Sequence, residues 1–386
     1  MRDDHVIGPK YVCVGQAVSS GAVAAVREAM AAIDTSKSCF ILAFIPAGLD
    51  VHLTVEALNV YSDGVPIFGC TTAGQITPNG YETNALMLLA FPKNNFRCAS
   101  ILFDPLSPFD ETEVALKAQR GTARFRHTAG WNRLGLIFSD GVSTQEDVLI
   151  STLETVLDDF PIFGGSAGDG LKFEETFVLQ KGRAYKNAAV LLLIETNLRF
   201  QGLGFDHFLP KGSPLVITGA DPDKRLVYEI NGSPAALEYA RLVGCDVKDL
   251  SPQVFAENPL LLELNEKHYV RAISDATDCN ALSFLAAIDD GLIMTLGEGQ
   301  EILETLENGL DLQDKADVPP DFILGFDCVL RKLEIEQKQL QRPVSEILSR
   351  RRVLGFNTFG EQQFGLHMNQ TFVGIAFFAP DGRALF

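Results

Sequence analysis

The stretch Pro161-Ile162-Phe163-Gly164-Gly165-Ser166-Ala167-Gly168 decides the fold class, because the chain carries two more stretches of the same design. In each, an apolar residue is followed by glycine, and a hydroxyl residue stands two places before a later glycine. The other two stretches are Pro66-Ile67-Phe68-Gly69-Cys70-Thr71-Thr72-Ala73-Gly74 and Val353-Leu354-Gly355-Phe356-Asn357-Thr358-Phe359-Gly360. Repetition of this kind predicts a chain assembled from similar structural units.

An apolar run precedes each glycine turn at a similar distance. The runs cover residues 40–45, 134–138 and 322–326, and a segment with helical character follows each of them. Phe44 precedes Phe68 by 24 positions, and Phe138 precedes Phe163 by 25. Short apolar runs that alternate with helices are typical of buried strands in βαβ units. The sequence therefore predicts an α/β fold with mixed sheets built from repeated strand-helix-strand units.

The length of 386 residues favours two domains, since a single core rarely grows that large. Beyond residue 196 the chain becomes richer in turns. Asn231-Gly232-Ser233-Pro234 then combines turn residues with a helix start, because Ser233 is a good N-cap and Pro234 suits the first helical position. We therefore predict an N-terminal domain over residues 1–230, with an internal duplication, and a C-terminal domain over residues 231–386.

The composition excludes several classes of partner. A formal charge of -18 argues against nucleic acid and against an anionic membrane surface, which both require a concentrated basic face. The apolar runs are too short to span a membrane. The first residues lack the layout of a secretory signal, and the seven cysteines are scattered without paired spacing, so a cytoplasmic protein with mostly buried thiols is expected.

The glycine turns are the first candidates for a ligand site. Turns at strand ends expose backbone N–H groups that can hold an anion or a carboxylate. None of the three has the spacing of a phosphate-binding loop or of a dinucleotide fingerprint, so a ligand role and a purely structural role both stay open. The candidate binding residues in these turns are Gly164, Gly165, Ser166, Thr72 and Thr358.

Signals for catalysis are weak. Ser166 lies between glycines, but its surroundings do not form a nucleophile elbow, and the sequence offers no acid or histidine where such an enzyme would place them. The six histidines are dispersed and form none of the common metal-binding patterns. The sequence therefore predicts a protein that is not an enzyme.

A dispersed histidine suits a different task, which is to bind the iron of a macrocycle inside an apolar pocket. The 27 phenylalanines, against one tryptophan, offer rings to line such a pocket. His367, between the third glycine turn and the last predicted strand, and His207, in the loop Phe205-Asp206-His207-Phe208, are the candidates. A hydrogen-bonded histidine without a ligand role is the alternative for each.

Four segments together resemble the successive signatures of FIST domains, in the order and spacing of that family. They are Phe68-Gly69-Cys70-Thr71-Thr72-Ala73-Gly74, Phe163-Gly164-Gly165-Ser166-Ala167-Gly168-Asp169, Val227-Tyr228-Glu229-Ile230-Asn231-Gly232-Ser233-Pro234-Ala235-Ala236 and Gly355-Phe356-Asn357-Thr358-Phe359-Gly360-Glu361-Gln362. The resemblance covers the chain from about residue 40 to its end. It implies a sensory module that binds a small ligand such as an amino acid.

Further segments resemble the stand-alone FIST proteins described as haem-based nitric oxide sensors of the NosP type. They are Val216-Ile217-Thr218-Gly219-Ala220-Asp221-Pro222, Ala287-Ile288-Asp289-Asp290-Gly291-Leu292, Gly325-Phe326-Asp327-Cys328-Val329-Leu330-Arg331 and His367-Met368-Asn369-Gln370-Thr371. This resemblance implies haem as cofactor, nitric oxide as signal, and control of a histidine kinase or of a cyclic-di-GMP enzyme.

Under that resemblance His367 is the first choice for the iron ligand, with His207 or Met368 as a second ligand or substitute. The haem would occupy an apolar chamber between the two halves of the chain. The alternative is a FIST sensor of a small, amino-acid-like metabolite that binds no haem.

Overall fold

A computed structural model describes residues 8–157, 160–264, 267–314 and 317–380. Three units with a similar order of elements make up most of it, and the third has two helices where the others have one between the parallel strands. The first unit consists of β1 (Cys13–Ala17), α1 (Ala22–Met30), β2 (Ser38–Pro46), α2 (Val51–Tyr61), β3 (Ile67–Thr72), β4 (Gln75–Thr77), β5 (Gly80–Glu82) and β6 (Leu86–Pro92). The second consists of β7 (Phe96–Phe103), α3 (Glu111–Arg124), β8 (Asn132–Ser139), α4 (Glu146–Val156), β9 (Ile162–Ser166), β10 (Val178–Gln180), β11 (Arg183–Tyr185) and β12 (Ala189–Thr196).

The third unit begins with one strand, is interrupted by an insertion, and then resumes. Its first strand is β13 (Arg199–Phe205). The insertion consists of β14 (Phe208–Asp221), β15 (Leu226–Ile230), β16 (Ser233–Pro234), α5 (Ala235–Val243), α6 (Pro252–Glu257), β17 (Leu260–Leu264), β18 (Lys267–Arg271), β19 (Ile273–Ala276), β20 (Leu282–Phe284) and β21 (Ile293–Gly299). The unit continues with α7 (Ile302–Gly309), β22 (Phe322–Cys328), α8 (Val329–Gln337), α9 (Gln341–Arg350), β23 (Val353–Thr358), β24 (Glu361–Gln363), β25 (Leu366–Met368) and β26 (Phe372–Phe378).

Each unit builds a sheet around one parallel pair of strands, and the three pairs have the same register. Phe44 lies beside Cys70, Phe138 beside Gly165, and Phe326 beside Phe356. The sheet orders are β1-β6-β2-β3, β7-β12-β8-β9 and β13-β26-β22-β23, each completed by two further strands. The predicted α/β class with mixed sheets is confirmed, and the third repeat has the same arrangement as the first two.

The two strands that complete each sheet come from another unit. Hairpin β10-β11 of the second unit extends the first sheet, hairpin β24-β25 of the third extends the second, and hairpin β4-β5 of the first extends the third. The exchange is cyclic and closed, so each sheet depends on two units. The predicted division at residues 230 and 231 falls between β15 and β16 of the insertion, and it stays a prediction.

The sheets bury both faces, which explains their continuous apolar strands. Their outer faces pack against the helices, and their inner faces meet in one shared core. At its centre the ring of Phe44 lies 4.7 Å from that of Phe356 and 6.0 Å from that of Phe138. The centre of the core is therefore filled by phenylalanine side chains of all three units, and the apolar chamber expected between the two halves does not lie there.

Local sequence fixes several helix starts. Asp50 and Asp110 accept hydrogen bonds from the backbone N–H groups of Leu53 and Glu113, which caps α2 and α3. Ser251 caps α6 in the same way, with Pro252 at the first helical position. No helix among the described residues has both the length and the apolar character that crossing a lipid bilayer requires.

The insertion has its own core, in which Tyr239 and Phe255 are buried. The buried side chain of Arg225 joins it to the second unit through two ion pairs. The Arg225 guanidinium lies 2.7 Å from the Glu146 carboxylate and 3.0 Å from that of Asp147, both in the first turn of α4. The insertion is thereby held against the carboxyl end of β8.

Candidate functional site

The three glycine turns meet at the carboxyl ends of the parallel pairs and hydrogen-bond to one another. Thr71, Ser166 and Asn357 occupy the same position in the three turns, and each exchanges two backbone hydrogen bonds with another unit. The bonds are Thr71 N–H to Phe177 O, Gly168 N–H to Thr71 O, Ser166 N–H to Gly360 O, Phe359 N–H to Ser166 O, Asn357 N–H to Gly74 O and Ala73 N–H to Asn357 O. These N–H groups are satisfied within the protein, so the turns are joints between units rather than an open anion cradle.

The glycines have a steric role at this joint. A Cβ on Gly164 would lie well inside 3.0 Å of the Ile137 carbonyl oxygen across the parallel pair. A Cβ on Gly165 would overlap the methyl group of Thr358 from the third unit. Only glycine permits backbones to approach so closely, and this accounts for Gly164 and Gly165 without a ligand.

The three hydroxyl side chains are also engaged internally. Thr72 Oγ1 donates to the Ile45 carbonyl oxygen at 3.2 Å, and the Thr358 hydroxyl bonds to the Glu361 carboxylate. Ser166 Oγ lies 3.1 Å from Ser139 Oγ and accepts a hydrogen bond from Gln362 Nε2 at 2.9 Å.

His367 lies on β25 and is 3% exposed. Its Nδ1 lies 3.2 Å from Gln362 Nε2, so the Gln362 amide stands between the imidazole and Ser166. Burial lowers the pKa of His367 below its ordinary value, although Asp147 and Glu146 act in the opposite direction. Because neighbouring residues of a strand point to opposite faces, Met368 turns away from His367 and packs into the shared core.

His207 lies in a separate buried network beside α8. The guanidinium of Arg331 can only donate, so its Nη1, 3.1 Å away, makes His207 Nδ1 an acceptor. His207 Nε2 then carries the proton and donates to Glu334 Oε1 at 3.0 Å. Arg331 Nε also donates to Asp327 at 2.8 Å, and Tyr81 bonds to the same carboxylate. Both ring nitrogens of His207 are therefore occupied.

An open cleft of about 480 Å³ lies at the carboxyl ends of β2 and β3. Thr71 of the first glycine turn and Asp169, directly after the second, both line it. The segment 169–177, which has no counterpart in the other two turns, closes one side. Clefts at the carboxyl ends of parallel strands are the usual ligand sites of α/β proteins, and this volume lies in the usual range for small molecules.

Carboxylates dominate the lining of this cleft. Asp50, Asp169, Glu174 and Glu175 line it together with one ammonium group, that of Lys172. Three of the four have partners: Asp50 caps α2, Asp169 accepts the N–H groups of residues 173, 174 and 175, and Glu175 pairs with Lys186. Among the described residues, neither the Glu174 carboxylate nor the Lys172 ammonium has a partner.

An apolar wall and a contact to the third unit complete the cleft. Phe177 is buried, and the ring of His52 packs edge-on against it with 5.5 Å between the ring centres. Phe173 of the segment 169–177 stacks on Phe359 of the third glycine turn, at 4.3 Å between ring centres and an interplanar angle of 23°. The segment that borders the cleft thus also touches the joint between the units.

Sequence reasoning found the strand ends but missed the residues of the cleft. Asp169 ends one of the FIST-like segments but was not singled out as a site residue, and Lys172, Glu174 and His52 belong to no recognisable pattern. The extra segment after Gly168 was the other available signal. The site residues predicted from the sequence separate into two groups: Ser166, Thr358 and His367 lie at or near the joint, whereas His207 lies beside α8. In the described part of the chain, no three His, Cys, Asp or Glu side chains are grouped as a metal site would require.

Comparison with known proteins agrees with this architecture. The FIST N domain matches residues 39–233 and the FIST C domain matches residues 235–363. The chain is also similar to the uncharacterized protein MJ1623 of Methanocaldococcus jannaschii, at 23% identity over 87% of this chain and 73% of that protein. FIST domains are sensory domains that bind small ligands. Since the two matches together cover most of the described residues, the chain belongs to the FIST family.

Proposed function

We propose that this protein senses a small amine-bearing metabolite, such as a basic amino acid, in the cleft between α2 and the segment 169–177, which we call the amine cleft. The observation that carries the proposal is the cleft itself, of about 480 Å³ and lined by four carboxylates and one ammonium group. A ligand with a net positive charge compensates this excess of negative charge.

The unpaired groups suggest how such a ligand is oriented. An α-carboxylate on the ligand pairs with Lys172, and an amine pairs with Glu174, because these two side chains have no partner among the described residues. The aliphatic part of the ligand packs on Phe177, which is 6% exposed. A basic amino acid carries all three features.

The same cleft offers a route for a signal. Ordering the segment 169–177 around a ligand shifts the population of its conformations. Phe173 then transmits the change through its stacking contact with Phe359 to the third glycine turn. This turn belongs to the FIST C half, so a downstream partner such as a histidine kinase or a cyclic-di-GMP enzyme is a proposal that rests on this coupling.

Binding is tested by thermal unfolding and calorimetry with L-lysine, L-arginine, spermidine and L-glutamate. We expect a basic amino acid to raise the melting temperature by on the order of 3 °C at saturation, and L-glutamate to leave it unchanged. Glu174→Gln and Lys172→Ala should each weaken binding by about tenfold. Glu28→Gln, on the exposed face of α1, is the matched control and should bind as the parent protein does. Equal responses to L-lysine and L-glutamate, or unchanged binding by Glu174→Gln, would contradict the proposal.

Haem binding with nitric oxide sensing remains a separate prediction, and the described residues do not fit it. A haem needs an imidazole with a free nitrogen beside a broad apolar slot. Both nitrogens of His207 are hydrogen-bonded. The His367 ring lies against Gly360 and Asn369, under the influence of four charged side chains, and the central apolar region is filled.

An absorption spectrum with added haem tests this prediction directly. A stoichiometric Soret band that nitric oxide shifts, and that changes in His367→Ala, would establish the haem sensor. A protein that stays colourless with excess haem would contradict the haem-sensor prediction. That result would leave the proposal for the amine cleft unaffected.

A further inference from the structure

A second, larger pocket lies at the opposite ends of the strands from the amine cleft. It has a volume of about 800 Å³. Ser38 begins β2, Cys13 begins β1 and Leu354 stands near the start of β23, and all three line it. We call it the seam pocket, because its walls come from the amino ends of strands in the first and third units.

The floor of the seam pocket is apolar. Val12, Ala90 and Leu354 lie on it and are 5%, 2% and 2% exposed. Half-buried Val14 extends the same surface. An apolar body placed on these side chains is removed from water, which favours binding in proportion to the area covered.

The rim of the seam pocket is cationic, in contrast with the rest of the chain. Lys10, Lys37 and Arg352 line it together with one carboxylate, that of Asp34. Lys37 pairs with Asp34 at 2.8 Å, which leaves two cations in excess. The whole protein carries a formal charge of -18, so the rim of this pocket is a positively charged region on a negatively charged protein.

Lys10 is held at the rim by its own backbone. The N–H groups of Lys10 and Tyr11 donate to the Asp321 carboxylate at 2.8 and 3.0 Å, which fixes this segment against the third unit. The side chain of Lys10 is exposed and has no partner in the described part of the chain. Arg352 donates from Nη2 to the Pro320 carbonyl oxygen, and this contact orients its guanidinium.

We infer that the seam pocket binds a small amphipathic anion, with one carboxylate or phosphate head group and an apolar body. The head group lies between Lys10 and Arg352, and the body covers Val12, Ala90 and Leu354. A volume of about 800 Å³ accommodates a molecule of this class. The site is separate from the amine cleft, so either can fail without the other.

Calorimetry on the full chain with octanoate tests the inference, with octyl phosphate as the second head group. Octanol and octylammonium are the neutral and cationic controls of matched length. We expect saturable binding of at least one of the two anions, and binding of the controls at least about tenfold weaker, because a charged hydrogen bond contributes about a factor of ten or more. Octylammonium binding as tightly as both anions would overturn the inference.

Cys13 provides a readout that locates the ligand. Cys13 lines the seam pocket and Cys279 lies in the insertion, and both are exposed free thiols. The anion that binds should slow alkylation of Cys13 by iodoacetamide and leave Cys279 unchanged. Lys10→Glu should abolish both the binding and the protection, whereas Lys211→Glu, an exposed cation in the insertion, should preserve them. Binding that persists in Lys10→Glu, or that leaves Cys13 unprotected, would place the ligand elsewhere and overturn the assignment.

Discussion

Replacing Glu361 with glutamine is expected to remove a large pH dependence from the stability of the protein. Glu361 is fully buried beside the third glycine turn. Its carboxyl group contacts the Thr358 hydroxyl and lies 2.7 Å from Thr371 Oγ1. Burial raises the pKa of Glu361 from 4.5 to about 8, although the two threonines favour the charged form.

The sign of the effect follows from proton binding. Between pH 4.5 and about 8 the folded protein holds a proton on Glu361 that the unfolded chain releases. The contribution of Glu361 to stability is therefore fully present below pH 4.5 and falls as the pH rises toward 8. Over this window the loss is on the order of 5 kcal/mol. A glutamine side chain has no proton to lose, so the Glu361→Gln variant lacks this slope.

Urea unfolding of both proteins at intervals between about pH 5 and about pH 8 measures the difference. We expect the free energy of unfolding of Glu361→Gln, relative to that of the parent protein, to increase steadily as the pH rises. The free energy of unfolding of Glu28→Gln, which changes an exposed carboxylate, should have the same pH dependence as that of the parent protein. A difference between Glu361→Gln and the parent that does not vary with pH would show that Glu361 is ionised throughout.

Alanine at Gly164 or Gly355 is expected to destabilise the protein by about 3 kcal/mol or more. A Cβ on Gly164 would overlap the Ile137 carbonyl oxygen, and one on Gly355 would overlap that of Gly325. The obstacle in each case is backbone of the paired strand, which cannot move aside as a flexible side chain can. Because the two glycines hold the same register position, we expect similar losses.

Gly48→Ala is the matched control for these substitutions. The nearest atom to a Cβ there is Asn84 Oδ1 at 3.6 Å, which is an ordinary contact. Chemical unfolding of the three variants should show a change within about 1 kcal/mol for Gly48→Ala. If Gly164→Ala or Gly355→Ala were as stable as Gly48→Ala, the glycines would not be required for close approach of the strands.

The sequence predicted the three parallel pairs because their signal is local. Each pair needs an apolar run, a helix and a glycine turn within about 35 residues, and these features repeat visibly. The exchange of hairpins was not predictable in this way. Strands β4, β10 and β24 are three residues long, and each pairs with a strand of another unit. Such pairing depends on long-range contacts that no local pattern records.

The candidate site was predicted only in part, for a related reason. Ser166 ends β9, whereas Gly164, which the sequence predicted in a turn, lies in the middle of that strand. A glycine that allows close packing and one that binds a ligand look alike in a sequence. His207 and His367 illustrate the same limit. Their hydrogen-bonding partners, Arg331 and Gln362, become neighbours only in the fold, and they occupy ring nitrogens that the sequence leaves open.

Hydrogen exchange with and without saturating L-lysine tests the central claim most directly. That claim is that a ligand in the amine cleft orders the segment 169–177 and reaches the FIST C half through Phe173 and Phe359. We predict slower exchange at residues 173–175, whose N–H groups bond to Asp169, and a change at residues 358–360 that is lost in Phe173→Ala. L-lysine binding that leaves exchange in both segments unchanged would contradict the account.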